Sequence, residues 1–383
     1  MMALGVGTVV VGTQIGRHVQ GPTESATHLY LAMIAPTGYG KDRPLKGGQS
    51  LLRAAGRPEL IGPDSWSSDI GFQLLLQDQP LLCCFVDELG DMVALLNSQD
   101  TNRFVSNTLT TLKRCYNAWE YIHTPKATTR PMIEIVWPVV SIIAASTPES
   151  FFSSLVPKDV EGGLANRFIP LPYEGMTRPE EQEVLPGACE IPPDLLARFK
   201  ALPHASGSIL DQRANGEVAL LQIGWGSPAA KQLYYDHSRK MDKEEASGDR
   251  RRHELSMRVC ENAVRLATNV AVGRGSPVVE LDDMRWGLAL AQQAYEAMVG
   301  GIRKYMIEYL QFPKFCMTLT GAYKSRGFIS KTDLHRDFFR HERTGLELDR
   351  VNGALIKQGV IQFAKRYPPT GGHEIVGWEW IGD

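Results

Sequence analysis

Ala35-Pro36-Thr37-Gly38-Tyr39-Gly40-Lys41-Asp42 gathers two glycines, a lysine and a carboxylate into one short turn. Gly38 and Gly40 allow the positive φ values that curl a backbone until successive N–H groups point inward at an anion. A lysine closing such a loop supplies a mobile cation for β- and γ-phosphates. A helix starting there adds the partial positive charge of its N-terminus. Two positions depart from the usual phosphate-loop pattern. Ala35 replaces the first glycine, which suits a backbone that needs no positive φ there. Asp42 replaces the Ser or Thr whose hydroxyl binds Mg²⁺; a carboxylate also ligates Mg²⁺ but brings negative charge close to phosphate oxygens. The alternative is a glycine-rich turn that holds no ligand.

The second chemical signal is Asp87-Glu88, which ends the apolar run 81–86. With a nucleotide on the loop, Asp87 would enter the Mg²⁺ shell, and Glu88 would orient or deprotonate the attacking water. The apolar run 139–145 ends in Ser146-Thr147. Those hydroxyls either touch the γ-phosphate or the attacking water, or cap the helix that begins near Pro148; the two roles are compatible. Arg167 stands just before the apolar stretch 168–171. An arginine there is placed to reach the γ-phosphate of a neighbouring subunit, or else to make a surface ion pair. Arg258 and Arg265 lie two helical turns apart and share a face. Either reaches a bound nucleotide or is an ordinary surface cation.

Alternating elements must position these groups. Residues 29–34 read as a buried strand, 43–55 as a helix and 59–62 as a short strand. Ser67-Ser68-Asp69 reads as a helix cap, and 102–119 as a long polar helix. Residues 133–138 are a strand or an irregular approach to the next strand. The alternation implies a mostly parallel sheet covered on both faces, the α/β architecture of a P-loop NTPase. Residues 174–215 are rich in Pro, Glu and Gly and read as a connector, followed by a strand at 217–224. Helical patterns over 227–243, 255–272 and 279–298 suggest a mainly helical lid.

The expected domains are therefore an ATPase core at 1–175, a connector and lid at 176–300, and a tail at 301–383. The tail shows helical patterns at 304–310, 329–339 and 348–358, then a hairpin from 360–366 and 374–381, the pattern of a winged helix. Its basic residues Lys324, Arg326, Lys331, Arg336, Arg340, Lys365 and Arg366 would face DNA phosphates. Docking of a protein is the alternative use.

A net charge of −2 over 383 residues gives no global argument for nucleic acid, so any basic surface is local. Cysteines at 83, 84, 115, 189, 260 and 316 show no metal-ligand spacing and suit reduced thiols in the cytoplasm. The opening stretch 3–12 is apolar and glycine-rich without a preceding basic segment, and Gln14 and Arg17 cut it short of a membrane span of about 20 residues. It is expected to pack beneath the nucleotide domain. No carboxylate cluster of a nuclease or primase is evident.

Together the loop at 35–42, Asp87-Glu88, Ser146-Thr147, the Gly163-Leu-Ala-Asn-Arg167-Phe168 segment and the two later arginines resemble the AAA+ ATPases. Residues 257–267 are similar to the lid helix of minichromosome-maintenance helicases, and this likeness would make Arg258 the lid sensor. Over about 3–300 the chain resembles an uncharacterised family of prophage and plasmid primase-helicase replication proteins. That resemblance implies ATP and Mg²⁺ as cofactors, and a homo-oligomer, hexameric in kind. It also implies single-stranded or forked DNA as partner, and a primase module in cis or in trans. The implied activity is that of a replicative helicase or translocase. Two other readings are an ATP switch such as a loader or transposition regulator, and a DNA-binding initiator with a vestigial nucleotide site.

Overall fold

A computed structural model describes all residues except 67, 98–102, 118–120, 124–133, 174–189, 205–219, 245–249, 339–347, 349–350, 354, 357–359, 368–373 and 383. The described chain forms two compact units, Met1–Met306 and Ile307–Asp383. Most of the expected connector, and Arg340, lie outside the described residues.

The first unit is built on five parallel strands: β1 (Tyr30–Ile34), β2 (Ile61–Gly62), β3 (Leu81–Val86), β4 (Val139–Ser146) and β5 (Phe168–Pro172). Their order across the sheet is β2-β3-β4-β1-β5. Every residue of β1, β3 and β4 is buried. That is why these strands read as continuous apolar runs rather than alternating ones: both sheet faces are covered. Helix Met2–Gln14 packs on β1 and β4, and helix Leu281–Tyr305 packs on β5.

Met2–Gln14 is a helix although its valines, glycines and threonines are weak helix formers. Packing overrides propensity here. Val9 and Val10 are fully buried, and Thr13 Oγ1 donates to Val9 O and shares a second hydrogen bond with the hydroxyl of Ser141 on β4. At Gly12 an added Cβ would lie 2.4 Å from Thr27 O and 2.2 Å from Asn269 Nδ2, so only glycine allows this approach.

Several boundaries differ from the sequence expectation. Residues 59–62 form a 3₁₀ turn, Pro58–Leu60, before the two-residue β2. Ser68 supplies the expected cap, accepting from Gly71 N at 3.1 Å. Glu134–Val136 pairs antiparallel with Tyr121–His123, outside the main sheet. The helix expected over 255–272 is broken at Met257-Arg258 into Arg250–Ser256 and Val259–Gly273. Residues 217–224 yield only short strands: Leu221–Gln222 pairs with Val19–Gln20, and Gly224–Trp225 pairs with Val278–Val279. Helices Pro228–Glu244, Val259–Gly273 and Leu281–Tyr305 pack on one another. Two of them also pack on the sheet or its covering helix, so they form one body with the core.

The second unit holds a three-stranded antiparallel sheet in which Ile375–Trp380 lies between Phe328–Ser330 and Ile361–Arg366. Helices Ile307–Arg326 and Lys331–Phe338 accompany it. Leu319, Tyr323, Ile329, Leu334, Val351 and Ile361 form its core. Tyr323 Oη donates to Asn352 Oδ1 at 2.9 Å, which satisfies a buried hydroxyl. The helix expected over 348–358 lies partly outside the described residues.

Candidate functional site

β1 delivers the chain to the loop at the C-terminal edge of the sheet, where Ala35 N donates to Ser146 O at 3.2 Å. Gly38 and Gly40 have φ of 82° and 71°. A Cβ on Gly40 would meet nothing within 4 Å, so its glycine is required by backbone conformation and not by space. Arg43 N closes onto Gly40 O, and helix Asp42–Ala54 begins. Pro36, Thr37, Gly38 and Gly40 are exposed. Tyr39 is half-buried, with its ring centroid 5.0 Å from that of Tyr173 beyond β5.

Lys41 arches back over the loop, and its Nζ donates to Ala35 O at 2.6 Å and Pro36 O at 3.2 Å. Burial pulls its pKa down, while Glu88 and Asp87 counteract that shift. The two carboxylates and the lysine therefore share one field. Asp42 faces along its helix toward Lys46, 3.1 Å away, and the hydrogen bond from Lys46 lowers its pKa. Asp42, Lys46, Asp64, Ser65, Phe85 and Asp87 line a cleft of about 450 Å³.

Among the described residues no three His, Cys, Asp or Glu side chains are grouped closely enough to cage a metal ion. Asp42 and Asp87, both on this cleft, nevertheless fit Mg²⁺, which keeps several waters and needs only one or two carboxylates beside substrate phosphates.

Glu88 adopts φ 58°, a left-handed conformation that costs a non-glycine residue about 1–3 kcal/mol. Its backbone N donates to Asp87 Oδ1 at 3.2 Å, and its carbonyl accepts from Asp91 N and Met92 N, starting helix Leu89–Asn97. The side chain is exposed. Ser146 is buried, and its Oγ accepts from Gly90 N at 3.3 Å, tying β4 to the acidic turn. Thr147 caps helix Pro148–Ser154, accepting from Ser150 N at 3.2 Å. Of the two hydroxyl roles expected, the structure gives Thr147 the cap and sets Ser146 between loop and acidic turn. That placement follows from the sheet order, which inserts β4 between β1 and β3.

The arginines gather elsewhere. Arg265 is fully buried and donates to His28 O at 2.9 Å and Tyr116 O at 2.8 Å, before β1 begins. His28 and Ala35 are seven residues apart along an extended segment, so this is on the order of 20 Å from the loop. Arg258 stands at the N-cap position of Val259–Gly273 and bonds Glu261, with Nη2 3.2 Å from Asn117 Oδ1. Arg167, mostly buried at the N-terminal end of β5, bonds Gly163 O. The guanidinium carbons of Arg167, Arg258 and Arg265 lie 5.8, 5.6 and 4.3 Å from the Tyr116 ring centroid. None of the three approaches the loop of its own chain. Arg265 is also no surface cation; it pins the helix to the start of β1.

Tyr116 and Glu261, which organise this cluster, carry no motif in the sequence. Glu261 sits between Arg258 and Arg265. Burial works to raise its pKa, but Arg265 and Arg258 outweigh burial and hold it below the ordinary 4.5. A carboxyl with a pKa depressed by folding stabilises above its unfolded value and loses that contribution as pH falls through its folded one. Glu261→Gln is thus expected to destabilise the first unit by about 1.5–3 kcal/mol at pH 7. In urea unfolding, the gap from wild type should narrow as pH drops below about 4.5.

In the second unit, Arg336 pairs with Asp333 at 2.7 Å and Asp337 at 3.0 Å, Lys365 with Glu374 at 2.8 Å, and Arg366 with Glu379 at 2.7 Å. Arg366 also lies 4.5 Å from the Phe328 ring centroid. Lys331 is exposed. The hairpin cations Lys365 and Arg366 are therefore already engaged with carboxylates, in exposed pairs of a kind that contributes little to stability.

Among the described residues no helix is long and apolar enough to cross a membrane. No protein-family model matches the chain, and no curated protein matches it.

Proposed function

We propose that this chain is an AAA+-like P-loop ATPase that moves along or remodels DNA during replication of a phage, prophage or plasmid. The observation that carries the reading is the convergence of Lys41, Asp87, Glu88 and Ser146 on one edge of a parallel sheet, around a loop with two left-handed glycines. Ligands of open α/β sheets bind at that carboxyl edge.

In this reading the loop amides and the N-terminus of Asp42–Ala54 hold the triphosphate. Lys41 leaves the carbonyls of Ala35 and Pro36 for the β- and γ-phosphate oxygens. Asp87 with Asp42 would hold Mg²⁺, which neutralises charge developing on those oxygens when bound. Glu88 takes the proton of the attacking water, and Ser146 fixes the acidic turn that carries it. Arg167 serves the next subunit of a homo-oligomer, hexameric in kind. The second unit is a winged helix whose Lys331, Arg336, Lys365 and Arg366 meet DNA phosphates.

The Asp42–Lys46 pair favours one second reading, an ATP switch that binds tightly and turns over slowly. ATP turnover with and without single-stranded DNA separates the two. DNA-stimulated hydrolysis supports a motor. Tight binding without turnover supports the switch, and absence of both binding and turnover refutes the nucleotide reading.

A further inference from the structure

The two faces of strand Ile361–Arg366 differ. Ile361, Phe363 and Lys365 alternate onto one face, Gln362 and Arg366 onto the other. The second face is closed. Gln362 Nε2 and Arg366 Nη2 both donate to Glu379, and the Arg366 guanidinium lies over the Phe328 ring. On the first face Ile361 is buried in the core of the second unit. Phe363, two residues on, is 56% exposed, and Tyr367, just past the strand, is 72% exposed.

The hairpin therefore runs past the core it starts from and carries aromatic side chains into solvent. Phe363 is backed from across the ladder. Its ring meets that of Trp378 edge to face at 6.4 Å, and Trp378 packs on the core. The strand is also an edge of its sheet. Bare aromatics on an edge strand are a liability unless they serve a contact.

The sequence Phe363, Lys365, Tyr367 is aromatic, cation, aromatic at every second residue. Alternate residues of a strand are about 6.6 Å apart, so the two aromatics stand about 13 Å apart with an ammonium group between them. An aromatic face takes any base, and a cation tracks the phosphates that link bases. Nucleotides of a duplex strand follow one another every 3.4 Å or so, with their bases stacked on each other. Only an unpaired, extended strand offers both free base faces and the wider spacing. Lys365 pairs with Glu374 at 2.8 Å, but the pair is exposed and contributes little, so opening it costs little.

We propose that this face of the hairpin is a stacking platform for single-stranded nucleic acid, with bases on Phe363 and Tyr367 and a phosphate on Lys365. The inference rests on the DNA reading of the second unit and is independent of the nucleotide site. It turns a set of phosphate contacts into a preference for unpaired strands.

Phe363→Ala, Phe363→Leu, Tyr367→Ala and Lys365→Ala would be made in the full chain, with a melting curve for each to verify folding. Fluorescence anisotropy without nucleotide would measure binding to an oligothymidylate, to an abasic deoxyribose-phosphate strand of the same length, and to a blunt duplex. Phe363→Ala, Phe363→Leu and Tyr367→Ala should each lose about tenfold on the oligothymidylate, the weight of one base–aromatic stack. Leucine keeps apolar bulk but has no flat face. All three should bind the abasic strand and the duplex as wild type does. Lys365→Ala should weaken both single strands and lower the salt slope by about 0.7, one phosphate contact.

Wild-type binding of the oligothymidylate by Phe363→Ala and Tyr367→Ala overturns the proposal and leaves the face to a protein partner. Equal loss on the abasic strand or on the duplex overturns it as well. An unchanged salt slope in Lys365→Ala overturns the phosphate contact. Wild type that binds none of the three probes refutes the DNA reading itself, and this proposal with it.

Discussion

Replacing Glu88 with glutamine is expected to slow ATP hydrolysis by about 10²–10⁴-fold, the usual weight of a general base, and to leave ATP affinity within about threefold of wild type. Three features of the site lead to this. Glu88 is the exposed carboxylate next to Asp87 at the end of a fully buried strand. Its left-handed backbone is held in place by bonds from Asp91 N and Met92 N to its carbonyl, and by the Gly90–Ser146 bond beside it. Strain stored at such a point is repaid when it aims a side chain. Glutamine keeps the length and one acceptor oxygen but takes up no proton, so binding and chemistry separate cleanly. The measurement is single-turnover hydrolysis beside equilibrium ATP binding. Wild-type turnover in the variant would remove Glu88 from the mechanism and leave water activation unassigned.

The polar residues on the carboxyl edge were legible because each group follows an apolar run. Strands buried on both faces show no alternation, so β1, β3 and β4 stand out as continuous hydrophobic segments, and the polar residues ending them stand out equally. What stayed hidden depends on contacts distant in sequence. Nothing local places β4 between β1 and β3, yet that order decides that Ser146 rather than Thr147 reaches the acidic turn. Nor does spacing show that Arg265 is fully buried beneath Tyr116, since the same i, i+7 pattern describes a solvated helix face. The helix Met2–Gln14 was missed for a related reason. Its valines and glycines disfavour a helix locally, and only the sheet and Val259–Gly273 packed against it make one stable. The Asp42–Lys46 pair, by contrast, is an i, i+4 contact that the sequence carries openly.

Arg167→Ala is expected to cost about 10³–10⁵ in turnover, the effect of withdrawing an arginine from a phosphoryl-transfer transition state. Geometry restricts how it acts. Arg167 lies at the N-terminal end of β5, where Phe168 pairs with Tyr30 at the start of β1, so the whole length of β1 separates it from its own Lys41. Any phosphate it meets belongs to another copy. Its surroundings suit that role: burial lowers its pKa, the nearby Arg258 repels it, and its bonds to Gly163 O and the Tyr116 face leave no carboxylate paired with it directly in the described contacts. An arginine that is packed, and whose nearest carboxylate, Glu261, is already bonded to Arg258 and Arg265, gains when a triphosphate of the next subunit arrives. Loss of activity alone would not prove this, since a mostly buried side chain also supports the fold. Mixing subunits does. Arg167→Ala retains an intact loop, and Lys41→Ala retains an intact arginine, so a mixed assembly rebuilds complete sites at the interfaces that join the two intact halves. Two inactive variants should therefore regain turnover when combined. If the mixture stays inactive while both variants fold and assemble as wild type does, Arg167 works within its own chain as a structural residue, and the transition-state charge must be met by another group.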